Sequence, residues 1–433
     1  MKKLKIDYRS GAVSLFVVIF AAILLTGVTV GFTILMLSDQ NRSSDNDLSQ
    51  SAKDSAEAGV EDAKRVLAQL TDCQSKGLLG STDSEEARKC RDIQDAVNSR
   101  SCDTVSRALG VSGEKERKVA QAEGDEKLDQ AYTCVTINPD TDAFVGKTND
   151  ESDMRVIPLN GTDSFDTVEV SWLERKDVPS KVNFTPPAGS QPSNPDDRAA
   201  YIALPKKADW GNRGSVIRVG AVPYNSNGVD IRDMDERSRT AFLYAGNRST
   251  PKNKIRLDDR SIDAHTPIYQ NEEPRDAAGS FNVATPVKCE GVSAENSLKD
   301  PLVEQGYLCK TSVKVKDINS PDQVYFTLAS LYRATSFKLT LKDEANPAKK
   351  IRFKGVQPEI DSTGRANNVF RRIVSRVEAV GGESAPFPRA ALGSSGSLCK
   401  SYIVTDESGD YQEDSASRQG NSGCYNLSTG NAF

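Results

Sequence analysis

The chain has 433 residues, with 61 acidic and 56 basic side chains and a formal net charge of −5. This modestly acidic balance argues against a nucleic-acid-binding protein, in which basic side chains cluster on one surface. The chain also has one histidine and no C-x-x-C motif, so we expect no zinc site, and we predict neither a metal nor a cofactor.

A basic leader precedes an uncharged apolar run. Residues 1–11 carry several lysine and arginine side chains and end at Gly11, whereas residues 12–37 carry no charge. As a helix, this run is roughly 39 Å long, enough to cross a bilayer core of about 30 Å. Basic residues stay in the cytoplasm, and no A-x-A cleavage site follows the run. We therefore predict a single retained transmembrane helix, with the rest of the chain outside the cytoplasmic membrane.

Residues 38–72 continue this helix in amphipathic form. Small and apolar residues recur every three or four positions and predict one packed face. The members of this face are Leu48, Ala52, Ala56, Gly59, Ala63, Val66 and Leu70. The charged residues between them predict a solvated opposite face, formed by Asp47, Lys53, Asp54, Glu57, Glu61, Asp62 and Lys64.

The eight cysteines favour disulfides in an oxidising outer compartment. They are Cys73, Cys90, Cys102, Cys134, Cys289, Cys309, Cys399 and Cys424. Eight cysteines allow 105 pairings, so the sequence leaves the connectivity open. Proximity along the chain suggests Cys289–Cys309 and Cys399–Cys424, and the alternative is that several thiols are free and buried.

An α+β fold is predicted beyond the membrane. Residues 73–134 indicate a cysteine-containing helical insertion, with helices at 84–97 and 102–109. Residues 135–433 indicate a β-rich domain, in which 168–172, 215–222 and 308–316 are strands. The last three predicted strands are 337–342, 351–356 and 369–379, and turns at 346–347 and 361–364 join them. Consecutive strands of this kind predict an antiparallel meander.

The sequence offers little that is typical of an enzyme. His265 lies in a polar stretch, and no G-x-S-x-G, P-loop, dinucleotide-binding or H-E-x-x-H motif is present. Residues 225–236 and 138–142 carry several carboxylates, which suggest calcium, but neither matches the EF-hand pattern and solvated turns explain both. We therefore predict no catalytic residues and no bound metal.

The N-terminal region resembles type IV pilins and pseudopilins. Its basic residues, Gly11 and the apolar helix that becomes amphipathic resemble a class III, or prepilin, signal. Residues 51–64 also resemble the Ala/Glu-rich stretch of PilX-type minor pilins. The resemblance implies cleavage between Gly11 and Ala12 by prepilin peptidase, methylation of the new N-terminus, and a long helix packed on an antiparallel β-rich domain. The pair Cys399–Cys424 would then close a loop like the C-terminal disulfide-bounded loop of many pilins.

Two positions depart from the pattern of major pilins. Those proteins begin with an aromatic residue and carry glutamate at the fifth mature position, where this chain has Ala12 and Phe16. The glutamate offsets a neighbouring N-terminal amine in an apolar filament core, where an unpaired charge is costly. Its absence favours a minor or tip subunit over a shaft subunit.

Gly27 and Gly31 form a G-x-x-x-G motif inside the apolar run. Small residues at this spacing let two helix backbones approach each other closely in a membrane. An alternative is that the glycines loosen the helix locally, because glycine lowers helix stability by up to about 1 kcal/mol relative to alanine.

The resemblance implies a structural function. The chain is expected to be stored in the membrane and then assembled by helix packing into a pilus or pseudopilus, at or near the tip, where it primes assembly or contacts surfaces. The expected partners are other pilin subunits, prepilin peptidase, the pilus assembly platform and the membrane, with no nucleic acid. Two alternatives are a pseudopilin of a secretion system and a permanently anchored extracellular binding protein that never polymerises.

Overall fold

One unbroken helix forms the N-terminal part of the chain. In a computed structural model, helix α1 spans Ser10–Ser75, so its 66 residues extend over roughly 100 Å. It ends where Gly77 adopts a φ of +66° and the Leu78 N–H donates to the Cys73 carbonyl, a conformation that glycine accepts at low cost. The described residues are 10–80, 84–109, 116–119, 129–149, 154–178, 183–190, 202–205, 207–224, 238–246, 254–257, 269–270, 283–289, 306–315 and 323–378.

Within the described residues, three shorter α-helices and a series of strands follow α1. The helices are α2, Glu85–Ser99; α3, Thr104–Ala108; and α4, Lys207–Trp210. The strands are β1, Arg117–Lys118; β2, Gln130–Thr141; β3, Phe144–Thr148; β4, Met154–Pro158; β5, Thr167–Glu174; β6, Ile202–Ala203; β7, Val216–Tyr224; β8, Arg239–Gly246; β9, Lys254–Arg256; β10, Tyr269–Gln270; β11, Val283–Lys288; β12, Tyr307–Lys314; β13, Gln323–Leu331; β14, Thr335–Lys342; β15, Phe353–Ala366; and β16, Val369–Arg376.

A four-stranded antiparallel sheet, in the order β1-β2-β15-β16, packs on the second half of α1. The packed face predicted from the sequence is the face that meets this sheet. The helix residues of this face that are fully buried are Ala52, Ala56, Ala63 and Val66. Val135 and Ile360 of the strands are also buried. The small side chains allow the helix backbone to lie close to the strands.

A close helix–sheet contact lies at Gly364 in β15. A Cβ atom placed on Gly364 would lie 2.2 Å from the carbonyl oxygen of Ala52 and 2.2 Å from the amide nitrogen of Ala56. Two residues earlier in β15, the Ser362 hydroxyl donates a hydrogen bond of 2.7 Å to the Ala56 carbonyl. Backbone therefore meets backbone at this point, and only glycine fits.

Two further sheets pack face to face as a β-sandwich. The five-stranded sheet has the order β3-β14-β5-β12-β9. The seven-stranded sheet has the order β4-β13-β7-β8-β11-β6, and its seventh strand, β10, pairs with β8. Their facing side chains form the largest apolar cluster among the described residues, centred on Trp172, Phe326 and Phe337, which are fully buried. A smaller cluster around Trp210 lies under α4, where the Trp210 ring stacks on Tyr332.

The sandwich is inserted between two neighbouring strands of the four-stranded sheet. Strands β2 and β15 are antiparallel partners, and Thr141 at the end of β2 pairs with Phe353 at the start of β15. All of the sandwich strands lie between these two residues in the chain. The sandwich thus replaces the turn of what would otherwise be a simple hairpin.

The predicted C-terminal meander is only partly correct. Strands β15 and β16 form the expected hairpin, but β14 pairs with β3 and β5 inside the sandwich and shares with the following segment only an isolated bridge, Leu341–Ile351. The physical reason is that Phe337, Leu339 and Leu341 of β14 are buried in the sandwich core, whereas β15 packs on α1.

The predicted turn at residues 361–364 is wrong, because these residues lie inside β15. The residues that suggested a turn have other roles: Asp361 pairs with Arg372, and Gly364 contacts the backbone of α1. The chain instead reverses after Ala366, where Asn367 adopts a φ of +48°. Asparagine tolerates this left-handed conformation better than most residues.

Other predicted elements are confirmed. Helices α2 and α3 match the two short helices expected from the sequence, and Ser84 caps α2 by accepting a hydrogen bond from the Ala87 amide. Strands β5, β7 and β12 match the expected strands, with small shifts at their ends. Strand β2 begins at Gln130, inside the segment 73–134 that was predicted to be a helical insertion.

We predict that Gly364→Ala lowers the free energy of unfolding by about 1–3 kcal/mol, the usual cost of forcing extra volume into a packed interface. The added methyl group would overlap the backbone of α1 at Ala52 and Ala56. Chemical denaturation of the full chain in detergent, followed by circular dichroism, measures the change. Gly80→Ala is the matched control, because nothing lies within 4 Å of a Cβ there. Equal stability of the two variants would contradict the close contact.

Candidate assembly surface

The first half of α1 presents a continuous apolar surface. Large hydrophobic side chains from Leu15 to Leu37 are exposed around the whole circumference of the helix, with Phe16 at 74% and Leu37 at 55%. This helix is long and apolar enough to span a membrane. Water is a poor environment for such a surface, so covering it with apolar groups is favourable.

The hydroxyl groups within this segment are satisfied inside the helix. The Thr29 hydroxyl donates to the Leu25 carbonyl at 2.7 Å, and the Thr33 hydroxyl donates to the Thr29 carbonyl at 2.8 Å. Because the hydroxyl protons are used locally, threonine adds little polarity to the helix surface. The segment therefore suits a solvent without hydrogen-bonding capacity.

Gly27 and Gly31 lie one turn apart on this surface. A Cβ atom at either position would have no neighbour within 4 Å, so neither glycine is needed for packing inside the described chain. They form a shallow strip on which a second helix can approach closely. Gly11 and Ala12, the predicted cleavage positions, lie within the bounds of α1, and the leader residues 1–9 lie outside the described residues.

Asp62 lies in the second half of α1 and is buried. The prediction that it belongs to a solvated face is therefore wrong. Its exposed fraction is only 9%, and its carboxylate accepts a hydrogen bond of 2.8 Å from the Tyr132 hydroxyl in β2. Arg117 in β1 places a guanidinium nitrogen 3.4 Å from the same carboxylate. A buried carboxylate with both partners joins α1 to two strands.

These surroundings change the pKa of the Tyr132 hydroxyl. Burial raises the pKa of Tyr132 well above its ordinary value of 10.0, and the hydrogen bond to the Asp62 carboxylate raises it further. Both effects disfavour the phenolate, because it would be a second negative charge in a partly buried site. The neutral hydroxyl therefore remains a donor to Asp62.

Disulfides hold the helical segment against α1 and the sheet. Cys73 in the last turns of α1 is bonded to Cys90 in α2, and Cys102, just before α3, is bonded to Cys134 in β2. Cys289 is bonded to Cys309 in the sandwich, which is the pairing that their proximity suggested. Every cysteine within the described ranges is paired, while Cys399 and Cys424 lie outside them.

Of the other sites predicted from the sequence, the structure describes only one of the two acidic stretches. Of the two acidic stretches, 138–142 lies at the end of β2, where Asp140 pairs with Arg100 and Asp142 pairs with Arg352. Arginine partners account for these carboxylates without calcium. Residues 225–236 and His265 lie outside the described residues. No group of metal-ligating side chains occurs in the part of the chain that the structure describes.

Sequence reasoning missed the residues that fix the helix to the sheet. Arg117 lies in a short strand that follows a highly charged stretch, and Gly364 lies in a segment that reads as a turn. The one available signal was Asp62 itself, which directly precedes Ala63 of the packed face and so lies at the margin of that face.

Comparison with protein-family models, with curated proteins and with solved structures finds no match for this chain.

We predict that Tyr132→Phe lowers the free energy of unfolding at neutral pH by about 1–2 kcal/mol, because Asp62 loses a donor in a buried site. Chemical denaturation at neutral pH measures this loss. The pH dependence gives a second test. A raised pKa in the folded state contributes stability that is complete below the ordinary pKa of 10.0 and is lost as the pH rises through the folded-state pKa.

The native chain should therefore lose stability at alkaline pH more steeply than Tyr132→Phe. Asp62→Asn serves as the companion variant, because it removes the charge that opposes ionisation while it keeps the side-chain volume. It should also flatten the alkaline decline. Parallel alkaline profiles for all three proteins would show that Tyr132 does not ionise against Asp62.

Proposed function

We propose that this chain is a minor subunit of a type IV pilus-like filament, stored in the cytoplasmic membrane and assembled through α1. The observation that carries the proposal is the division of one continuous helix into two halves. Its first half is apolar and uncovered, and its second half is buried under an antiparallel sheet. A permanent anchor needs only the first feature, whereas a subunit that packs through its helix needs both.

The uncovered half of α1 supports assembly by helix packing. Each Å² of apolar surface removed from water contributes about 25 cal/mol, so the side chains between Leu15 and Leu37 favour any apolar cover. Lipid provides that cover during storage, and the helices of neighbouring subunits provide it in the filament. The strip at Gly27 and Gly31 is the natural place for close contact with another helix.

Phe16 and the inserted sandwich support a position near the filament tip. Phe16 replaces the acidic residue by which major pilins offset a neighbouring N-terminal amine, so repeated stacking along a shaft lacks its usual charge pairing. The sandwich enlarges the outer part of the subunit. Both features suit a subunit that primes or ends the filament and contacts surfaces there.

Processing at Gly11 by prepilin peptidase is the step that separates this function from permanent anchoring. The partners implied are the peptidase, the assembly platform, other pilin subunits and the membrane. The outer domain lies on the far side of the membrane from the basic leader, in a compartment that allows Cys73–Cys90 and the other disulfides to form.

We expect the chain to begin at Ala12 after co-expression with a prepilin peptidase, as measured by mass spectrometry of the intact protein. The new N-terminus should also carry a methyl group. Gly11→Leu should remain uncut, because the bulky side chain occupies the position before the scissile bond. Gly31→Leu is the matched control, since it makes the same exchange in the same helix and should be cut as the native chain is.

Retention of Met1 in the native chain, with an active peptidase shown on a known substrate, would contradict the proposal. The chain would then be a permanently anchored extracellular binding protein.

A further inference from the structure

The outward face of the five-stranded sheet carries an unusual concentration of lysine in an acidic chain. The lysines of this face, defined here as the lysine face, are Lys147, Lys310, Lys314, Lys338 and Lys342. The inward side chains of the same strands, among them Val168, Val170 and Leu339, are buried in the sandwich core. Strict alternation along each strand therefore directs the lysines away from the core.

The register places four of these lysines in two rows across the central strand β5. Ser171 pairs with Lys338 on one side and with Lys310 on the other. Four residues earlier, Thr167 pairs with Lys342 on one side and with Lys314 on the other. Since neighbouring strands lie about 4.8 Å apart, the two Cα atoms of a row are roughly 10 Å apart, and the rows are separated by about 13 Å.

Glu169 lies between the two rows and holds two of the lysines in place. Its carboxylate is 3.0 Å from the Lys310 ammonium and 2.5 Å from the Lys342 ammonium, which belong to different rows. Burial alone would raise the pKa of Glu169, but hydrogen bonds from Lys342 and Lys310 outweigh it and keep the pKa below its ordinary value. The Glu169 carboxylate is therefore one negative charge between the positive charges of Lys310 and Lys342.

The face keeps a surplus of positive charge after internal pairing. Lys314 lies 3.5 Å from the buried Asp166, while Glu169 serves two lysines at once. Lys147 and Lys338 are exposed, and neither is within 4.0 Å of a carboxylate of the described residues. Among the described residues, the five lysines therefore have only two carboxylates, Glu169 and Asp166, within 4.0 Å, in a chain whose net charge is −5.

We infer that the lysine face binds the carboxylate groups of an anionic polysaccharide. The charge of the face selects a polyanion, and its spread over several strands suits an extended chain rather than a single small anion. Ser171, Ser312 and Thr340 lie between the lysines and supply hydroxyl groups that can exchange hydrogen bonds with sugar hydroxyls. The inference does not depend on filament assembly.

The composition of the face favours a polysaccharide over a nucleic acid. Single strands are held by stacking their bases on aromatic side chains, and no aromatic residue points outward between the lysines on the described strands β14, β5 and β12. The five-stranded sheet is also wider than the two-stranded ribbon that a major groove admits.

The experiment compares binding of alginate, a polymer of uronic acids, with binding of neutral dextran. The full chain is kept in a non-ionic detergent, and binding is followed by biolayer interferometry at low salt. We expect the native chain to bind alginate and not dextran, with affinity that falls as salt screens the charges.

Lys147→Gln combined with Lys338→Gln should raise the Kd for alginate about fivefold, since each exposed ion pair contributes only modestly. These lysines form no ion pair with another described residue, so the variant should fold normally. Lys89→Gln combined with Lys118→Gln is the matched control. It makes the same change in net charge at the exposed lysines of α2 and β1, whose side chains are 70% and 83% exposed, and it should leave the Kd unchanged.

Three results would overturn the inference: no binding of alginate, equal weakening by both double variants, or equal or tighter binding of duplex DNA. The last would show a surface that selects phosphate polymers. None of these results bears on cleavage at Gly11, so failure of this inference and failure of the proposed function are distinguishable.

Discussion

The contact between α1 and β15 is the constraint on which the rest of the structure depends. Gly364 lets the strand lie against the helix backbone at Ala52 and Ala56, and Ser362 fixes its position by donating to the Ala56 carbonyl. Because β15 also pairs with both β2 and β16, this one strand carries the helix contact to its neighbours on either side. Asp62 and Tyr132 then join α1 to β2 directly.

The sandwich depends on the same two strands but not on the helix. It begins after Thr141 and ends before Phe353, residues that are paired, so the four-stranded sheet keeps its register whatever lies between them. Gln357 closes the connection, since its side chain accepts from the Val145 amide at 2.9 Å and donates to the Val145 carbonyl at 2.7 Å. With its own core around Trp172, the sandwich adds an outer surface without altering the helix–sheet contact.

Local patterns predicted α1, α2, α3 and six of the described strands, but not the long sandwich strands β8 and β13 and not the partners of any strand. The helical spacing of Ala52 to Val66 and the alternation in β5 and β12 are properties of neighbouring residues, and they were sufficient to find α1 and these two sandwich strands. The assignment of β14 and β15 to different sheets depends on contacts with distant segments, which no local pattern contains. Asp62 shows the same limit, because an acidic residue on a helix reads as solvated unless Tyr132 and Arg117 are known to cover it.

The two halves of α1 use different kinds of packing, and this difference bears on assembly. From Ala52 to Ala63, small residues meet one sheet at backbone distance, a fit that admits a single partner. From Leu15 to Leu37, large side chains point in every direction and fit any apolar surroundings. Lipid tails and helix surfaces are similarly apolar, so a transfer between them changes the hydrophobic free energy little. In the proposed function, this property lets the subunit leave the membrane for a filament while its outer domain stays fixed to the second half of the helix.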